Sequence, residues 1–85
     1  MKTFTYVIKD EHGMHARPAG ELVKLVKTLA SKVTIVKDGK SANAKSTLAI
    51  MSLGAKQDSE VTFNIEGEDE EAAAAALEKF MTENL

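Results

Sequence analysis

Hydrophobic residues recur along this chain in two periods, one typical of strands and the other of helices. Phe4, Tyr6 and Ile8 alternate with Thr3, Thr5, Val7 and Lys9, which predicts a half-buried strand. The same period of two recurs over residues 33–36 and 60–66, which are the second and the last predicted strands. Each of these strands needs a cover for its apolar face.

Two longer segments have the helical period. The first predicted helix extends from about Ala16 to Leu29. Its apolar positions are Ala19, Leu22, Val23, Val26 and Ala30. The last predicted helix has the acidic residues Glu68 to Glu71 in its first turn, where negative charge complements the helix dipole. Its inward positions are Ala73, Ala76, Leu77, Phe80 and Met81.

Turn and cap residues separate these elements. Asp38-Gly39 predicts a hairpin, because both residues tolerate positive φ, and it joins the second strand to a short one over Lys40 to Ala44. Ser46 is a favoured N-cap and Gly54 a favoured residue just past a helix end, so a short helix is expected between them.

The order of elements is therefore βαββαβα. It predicts an α+β open-faced β-sandwich, in which a four-stranded, mostly antiparallel sheet is covered on one face by three helices. No linker or repeat divides the sequence, so residues 1–85 are expected to form one domain.

Composition excludes several classes of function. The net charge of −2 and the 5% of aromatic residues argue against a nucleic-acid-binding module, which needs basic residues and stacking aromatics. No signal peptide or bilayer-spanning stretch is evident, and cysteine is absent. We expect a cytoplasmic protein that does not insert into membranes, with a monomer as the default state.

The candidate chemistry lies at the junction between the first strand and the first helix. His15 is expected at or next to the N-cap of this helix, ahead of the chain's only proline, Pro18, which is favoured in a first helical turn. The free amides of Ala16 and Arg17 would face its ring, and the Arg17 guanidinium can bind phosphate oxygens. This combination suits a phosphate carried on an imidazole nitrogen.

Other phosphate chemistry has no support in the sequence. It contains neither a P-loop nor a cluster of carboxylates with metal-ligand spacing. We therefore expect a stoichiometric carrier that other proteins phosphorylate and dephosphorylate, with no metal and no cofactor of its own.

The segment Gly13-Met14-His15-Ala16-Arg17-Pro18-Ala19 resembles the active-site signature of the HPr family, the histidine phosphocarriers of the bacterial sugar phosphotransferase system. The resemblance covers essentially the whole chain and implies the same fold. It implies that His15 receives the phosphoryl group on Nδ1, with enzyme I as donor and phosphoenolpyruvate as its source. It also implies that sugar-specific IIA domains accept the group.

A second segment, Lys45 to Gly54, resembles the serine signature of the same family. The resemblance implies that Ser46 is a regulatory site for an HPr kinase/phosphorylase, with a catabolite-control transcription regulator as a further partner. Ser46 as a simple helix cap is the alternative. Position 47 is usually apolar in the signature, but here it is Thr47, and Gly20 replaces a more common alanine or other small residue in the first helix.

The short helix carries more apolar residues than one buried stripe needs. Leu48 and Met51 are candidates for a docking surface, together with Thr47, Arg17, Lys24 and Lys27. Burial of the same apolar residues in the core is equally compatible with the composition.

Two other functions remain open at the level of sequence, namely a purely regulatory HPr-like adaptor and a small binding domain in which His15 is incidental. His12 is expected to be a solvated loop residue.

Overall fold

The structure, a computed structural model, describes residues 1–85. The strands are β1 (Lys2–Val7), β2 (Lys32–Lys37), β3 (Lys40–Asn43) and β4 (Glu60–Glu66). The helices are α1 (Ala16–Lys27), α2 (Thr47–Ser52) and α3 (Glu70–Asn84). This order confirms the predicted βαββαβα arrangement. No helix has both the length and the apolarity needed to cross a membrane.

The four strands form one open sheet in the order β1-β4-β2-β3. All three pairings are antiparallel, so the sheet is more uniform than the predicted mostly antiparallel one. Phe4 of β1 lies opposite Phe63 of β4, and their rings stack with centroids 4.8 Å apart. The stacked pair ties the edge strand to the centre of the sheet.

The core lies between the helices and one face of this sheet. From the strands, the alternate residues Val33, Ile35, Val61, Phe63 and Ile65 are buried. From the helices, the buried side chains include Leu22, Val26, Ile50, Leu77 and Met81. Full burial of such a side chain stabilises the fold by about 1.5–3 kcal/mol. The structure therefore has the predicted cover of three helices on one face.

The β2–β3 hairpin confirms its predicted turn. Asp38 and Gly39 have φ values of 50° and 81°, the positive pair that a tight hairpin turn requires. Lys37 and Lys40 flank the turn as the last pair in the register.

The first helix is shorter than its apolar pattern predicts. It ends at Lys27 rather than near Leu29, because the Thr28 hydroxyl and amide both donate to the Leu25 carbonyl, at 2.6 and 3.0 Å. Ala30 is consequently outside the helix and exposed, and its assignment to the apolar stripe was wrong.

The acidic segment before α3 also differs from the prediction. Only Glu70 and Glu71 lie in the first turn, while Glu68 precedes the helix and Asp69 is its N-cap. The Asp69 side chain makes no cap hydrogen bond to its own helix and instead accepts from the Ala30 amide at 3.0 Å. One of the four charges therefore joins distant segments and does not serve the helix dipole.

Candidate functional site

His15 is the N-cap of α1, which agrees with the prediction that it lies at or next to that position. Its backbone is extended (φ −98°, ψ −173°), and the helix begins at the next residue. The side chain makes no cap hydrogen bond and is exposed. Pro18 and Ala19, by contrast, are buried in the first turn and fix it to the core. An anchored backbone thus presents a solvent-accessible ring.

The first turn of α1 leaves two amides free directly after His15. Pro18 has no N–H, and the Ala19 amide donates to the His15 carbonyl at 3.0 Å. The amides of Ala16 and Arg17 have no acceptor within the chain. Together with the helix dipole, they can stabilise negative charge on a group attached to His15.

His15 lies in an open surface depression that we call the His15 depression. Its lining residues are Asp10, His12, His15, Arg17, Pro18, Glu21, Glu83 and Asn84. Arg17 is exposed and takes part in none of the three ion pairs of the structure. Its guanidinium is therefore available to bind phosphate oxygens. Three carboxylates share the depression, so an anion held there is also repelled.

The loop before His15 is fixed by a close backbone approach. Gly13 has φ +65°, and a Cβ at this position would lie 2.6 Å from the Ala55 carbonyl oxygen. The next amide, of Met14, donates to that same oxygen at 3.0 Å, and the Met14 side chain is buried. Only glycine permits this approach, and the contact sets the direction in which His15 points.

The end of α3 holds the other side of the depression. The main-chain oxygen of Leu85 accepts from the amides of Lys9 and Asp10, at 2.6 and 2.7 Å. These bonds keep the β1–α1 loop beside the last turn of α3, where Glu83 lines the depression.

His12 is closer to the site than the sequence indicated. It is an exposed loop residue, as predicted, but its ring lies edge-on to that of His15 with centroids 5.9 Å apart. The proximity depends on the turn in which the Gly13 amide donates to the Asp10 carbonyl at 3.1 Å. The only sequence feature that could have revealed it is the spacing of three residues across a predicted turn.

Lys24 and Lys27 do not belong to the phosphate-binding part of the site. Both are exposed and lie in the last turn of α1. At 1.5 Å per residue they are about 14 and 18 Å along the helix from His15, too far to contact a group on its ring. They can act only on a partner that covers the length of α1.

The second helix divides its apolar residues between core and solvent. Ile50 and Leu53 are buried, whereas Leu48 is 80% and Met51 40% exposed. Ile50 and Leu53 therefore belong to the core, whereas Leu48 and Met51 stay accessible to solvent and remain candidates for a docking surface. Thr47 is half-buried at its start. Ser46 is the N-cap, as predicted, and its hydroxyl oxygen accepts from the Ala49 amide at 3.2 Å.

Comparison with known proteins now decides the family. The family described as "PTS HPr component phosphorylation site" matches residues 2–83. The chain belongs to the HPr family. The phosphocarrier protein HPr of Buchnera aphidicola subsp. Schizaphis graminum is 49% identical over 72 residues, which is 85% of each chain. The HPr of Lysinibacillus sphaericus is 43% identical and covers 98% of this chain and 94% of its own length.

A solved structure agrees with the family assignment. HPr from Thermoanaerobacter tengcongensis superposes with a TM-score of 0.91 at 43% identity, over 96% of this chain and 92% of that one. The family description names a phosphorylation site of the phosphotransferase system, and the curated relatives are named as phosphocarrier proteins. The fold and the family that the sequence indicated are both confirmed.

Proposed function

We propose that this protein carries a phosphoryl group on His15 between enzyme I and the IIA domains of sugar permeases. The observation that supports the proposal most strongly is the combination of the exposed His15 ring, the two free amides of α1 and the unpaired Arg17 in one depression. A neutral ring nitrogen has the lone pair needed to attack phosphorus. Phosphoenolpyruvate is the ultimate donor, and Nδ1 is the nitrogen that the family resemblance implies.

The site is suited to a group that must leave again. The amides of Ala16 and Arg17 and the Arg17 guanidinium offset the charge of the phosphoryl group. The carboxylates of Asp10, Glu21 and Glu83 surround the same space and limit how tightly that group is held. Because the depression is open, donor and acceptor proteins can reach the same nitrogen in turn.

A relay experiment tests the carrier function. The phosphorylated protein is separated from enzyme I and phosphoenolpyruvate and then mixed with a IIA domain. We expect the phosphoryl group to appear on the IIA domain, with a matching loss from this protein. Phosphorylated protein that loses the group only to water, whichever IIA domain is supplied, would contradict the carrier proposal.

The role of Arg17 is tested on the isolated phosphorylated protein. Arg17→Gln should alter the lifetime of the phosphohistidine, because the guanidinium no longer contacts the phosphoryl oxygens. Lys24→Gln is the matched control, since it removes a cation from the same helix but beyond reach of His15. Equal lifetimes for wild type and Arg17→Gln would exclude a phosphate contact by Arg17.

We also propose that Ser46 is a regulatory phosphorylation site for an ATP-dependent HPr kinase/phosphorylase, with a catabolite-control transcription regulator as a reader. Its support is the family signature and the position of Ser46 at the start of the short helix that carries the exposed Leu48 and Met51. A phosphate there would place negative charge beside this apolar surface and change which partners bind.

The kinase reaction has a matched control within the chain. Ser52 lies on the same helix, is exposed and donates its hydroxyl to the Ala49 carbonyl at 2.7 Å. With ATP and an HPr kinase, we expect one acid-stable phosphate on wild type and on Ser52→Ala, and none on Ser46→Ala. Modification that persists in Ser46→Ala would contradict the assignment.

A further inference from the structure

The second histidine of the chain borders the proposed phosphoryl site. The rings of His12 and His15 meet edge-on, with an interplanar angle of 85° and centroids 5.9 Å apart. Both rings line the His15 depression. A phosphoryl group bonded to a His15 nitrogen that faces this space therefore has the His12 side chain within reach.

The loop conformation keeps His12 in this position. Its amide donates to the Asp10 carboxylate at 3.0 Å, and the neighbouring Gly13 amide donates to the Asp10 carbonyl at 3.1 Å. The His12 side chain itself is 72% exposed and donates no hydrogen bond within the chain. The ion-pair partner of its ring is Glu11, whose Oε1 lies 3.6 Å from Nε2. The ring can therefore turn a nitrogen towards an anion.

The charges around the depression are unbalanced once His15 is phosphorylated. The loop contributes Asp10 and Glu11, α1 contributes Arg17 and Glu21, and α3 contributes Glu83. A phosphoryl group adds up to about two further negative charges near neutral pH. Arg17 is the only permanent cation among these groups. Of the residues that line the depression, only the two histidines have a side chain that exists in both a neutral and a cationic form.

We propose that His12 is a second phosphate-binding residue, whose protonated imidazole contacts the phosphoryl group on His15. Phosphorylation of His15 and protonation of His12 then favour each other, because the coupling between two binding events is reciprocal. His12 forms no covalent bond in this scheme and donates only a hydrogen bond. The inference depends on the proposed phosphorylation of His15 and adds a pH-sensitive contact to it.

An NMR titration tests this coupling. The ring resonances of His12 are followed against pH before and after phosphorylation with phosphoenolpyruvate and enzyme I, while the phosphorus resonance reports the phosphohistidine. We expect the midpoint of the His12 titration to move upward by about half a pH unit to one unit on phosphorylation. The shift should shrink in about 1 M salt, because the pair is exposed and screened.

Variants separate phosphate binding from a structural role. If the His12 ring contacts the phosphoryl group, the phosphorus resonance of wild type should show two inflections with pH, one from the ionisation of the phosphate and one from His12. In His12→Gln only the inflection of the phosphate's own ionisation should remain. Asn84→Ala is the matched control, because it changes a neutral residue of the same depression and should keep both inflections. Since His12 is largely exposed, its replacement should leave the unfolding temperature near that of the control.

The outcomes distinguish this inference from the proposed function. A phosphohistidine resonance together with an unchanged His12 titration would overturn the role of His12 and leave the carrier function intact. The absence of any phosphohistidine would overturn both. An upward shift that also occurs in His15→Ala treated in the same way would show that the phosphoryl group is not its cause.

Discussion

The hydroxyl of Ser31 donates a hydrogen bond to the carboxylate of Asp69, 38 positions later in the chain. The other carboxylate oxygen of Asp69 accepts from the Ala30 amide at 3.0 Å. Ser31 is 1% exposed, so this carboxylate satisfies a buried hydroxyl in the link between α1 and β2. The pair holds the start of α3 against the segment that follows the first helix.

This relationship predicts a dependence of stability on pH. The hydrogen bond from the Ser31 hydroxyl, followed by that from the Ala30 amide, holds the pKa of Asp69 below its ordinary value. A carboxylate whose pKa is lower in the folded state stabilises the fold above its unfolded pKa. That contribution is lost as the pH falls below about 4 and through the folded value.

Urea unfolding between about pH 2.5 and 7 checks this prediction. The free energy of unfolding of wild type should exceed that of Asp69→Asn at neutral pH, and the difference should shrink in acid. Glu68→Gln is the matched control, since its exposed side chain has no hydrogen-bond partner within the chain. A difference between wild type and Asp69→Asn that stays constant across the pH range would contradict the account.

Gly20 is a position at which alanine should stabilise the protein. It lies within α1, and a Cβ built there meets nothing within 4 Å. Gly20→Ala should therefore raise the free energy of unfolding by about 1 kcal/mol, because glycine loses more backbone entropy in a helix. Calorimetry should show an increase of roughly 4–8 °C in Tm for a domain of this size. An unchanged or lower Tm would contradict the finding that a Cβ at position 20 has room in the folded protein.

An alanine at position 13, unlike one at position 20, should destabilise the protein. A Cβ there would meet the Ala55 carbonyl oxygen at 2.6 Å and the Lys56 Cα at 2.8 Å, in a backbone conformation with positive φ. We expect Gly13→Ala to cost about 2–5 kcal/mol of stability and to slow the phosphorylation of His15. Equilibrium unfolding and the rate of phosphorylation together check this. If Gly13→Ala kept both the unfolding free energy and the phosphorylation rate of wild type, the close approach of Gly13 to Ala55 would not be what positions His15.

These two glycines show what sequence can and cannot reveal. The helical position of Gly20 followed from the apolar period on either side of it, so its cost to the helix could be predicted. The contact of Gly13 with Ala55 joins residues 42 positions apart, and no local pattern encodes it. Likewise, the local motif was enough to propose a candidate site at His15 and Arg17, whereas the approach of His12 and Glu83 to it depends on the folded chain.

Helix ends were predicted less well than helix faces. The apolar period gave the buried side of α1 correctly at Leu22, Val23 and Val26. It could not locate the end of the helix, which depends on the local hydrogen bonds of Thr28, nor the tertiary partner of Asp69. Apolar burial follows from the periodic pattern, whereas individual polar contacts, local for Thr28 and tertiary for Asp69, are not encoded in it.

Replacement of the exposed Leu48 should weaken the binding of partner proteins but leave the stability of the fold unchanged. Because it is 80% exposed, Leu48→Ala should change the free energy of unfolding by less than about 0.5 kcal/mol. If it contacts enzyme I, the KM for phosphorylation should rise about tenfold with kcat unchanged. Steady-state kinetics with enzyme I measures this.

Val7→Ala is the matched control for that variant. Val7 is also an exposed apolar residue, at 42%, but it lies opposite Glu60 on the uncovered face of the sheet. The Val7→Ala variant should leave the KM for phosphorylation by enzyme I unchanged. Equal effects of the two substitutions would indicate that α2 is not a specific docking surface.

Intact-mass spectrometry after incubation with phosphoenolpyruvate and enzyme I tests the central claim, that His15 carries the phosphoryl group, most directly. We predict the addition of one phosphoryl group to wild type and to His12→Ala, its loss in acid, and no addition to His15→Ala. The His12 variant is the matched control, because it removes the other imidazole of the same depression. An acid-labile group that still appears on His15→Ala, or none on wild type with enzymes I from several sources, would contradict the account.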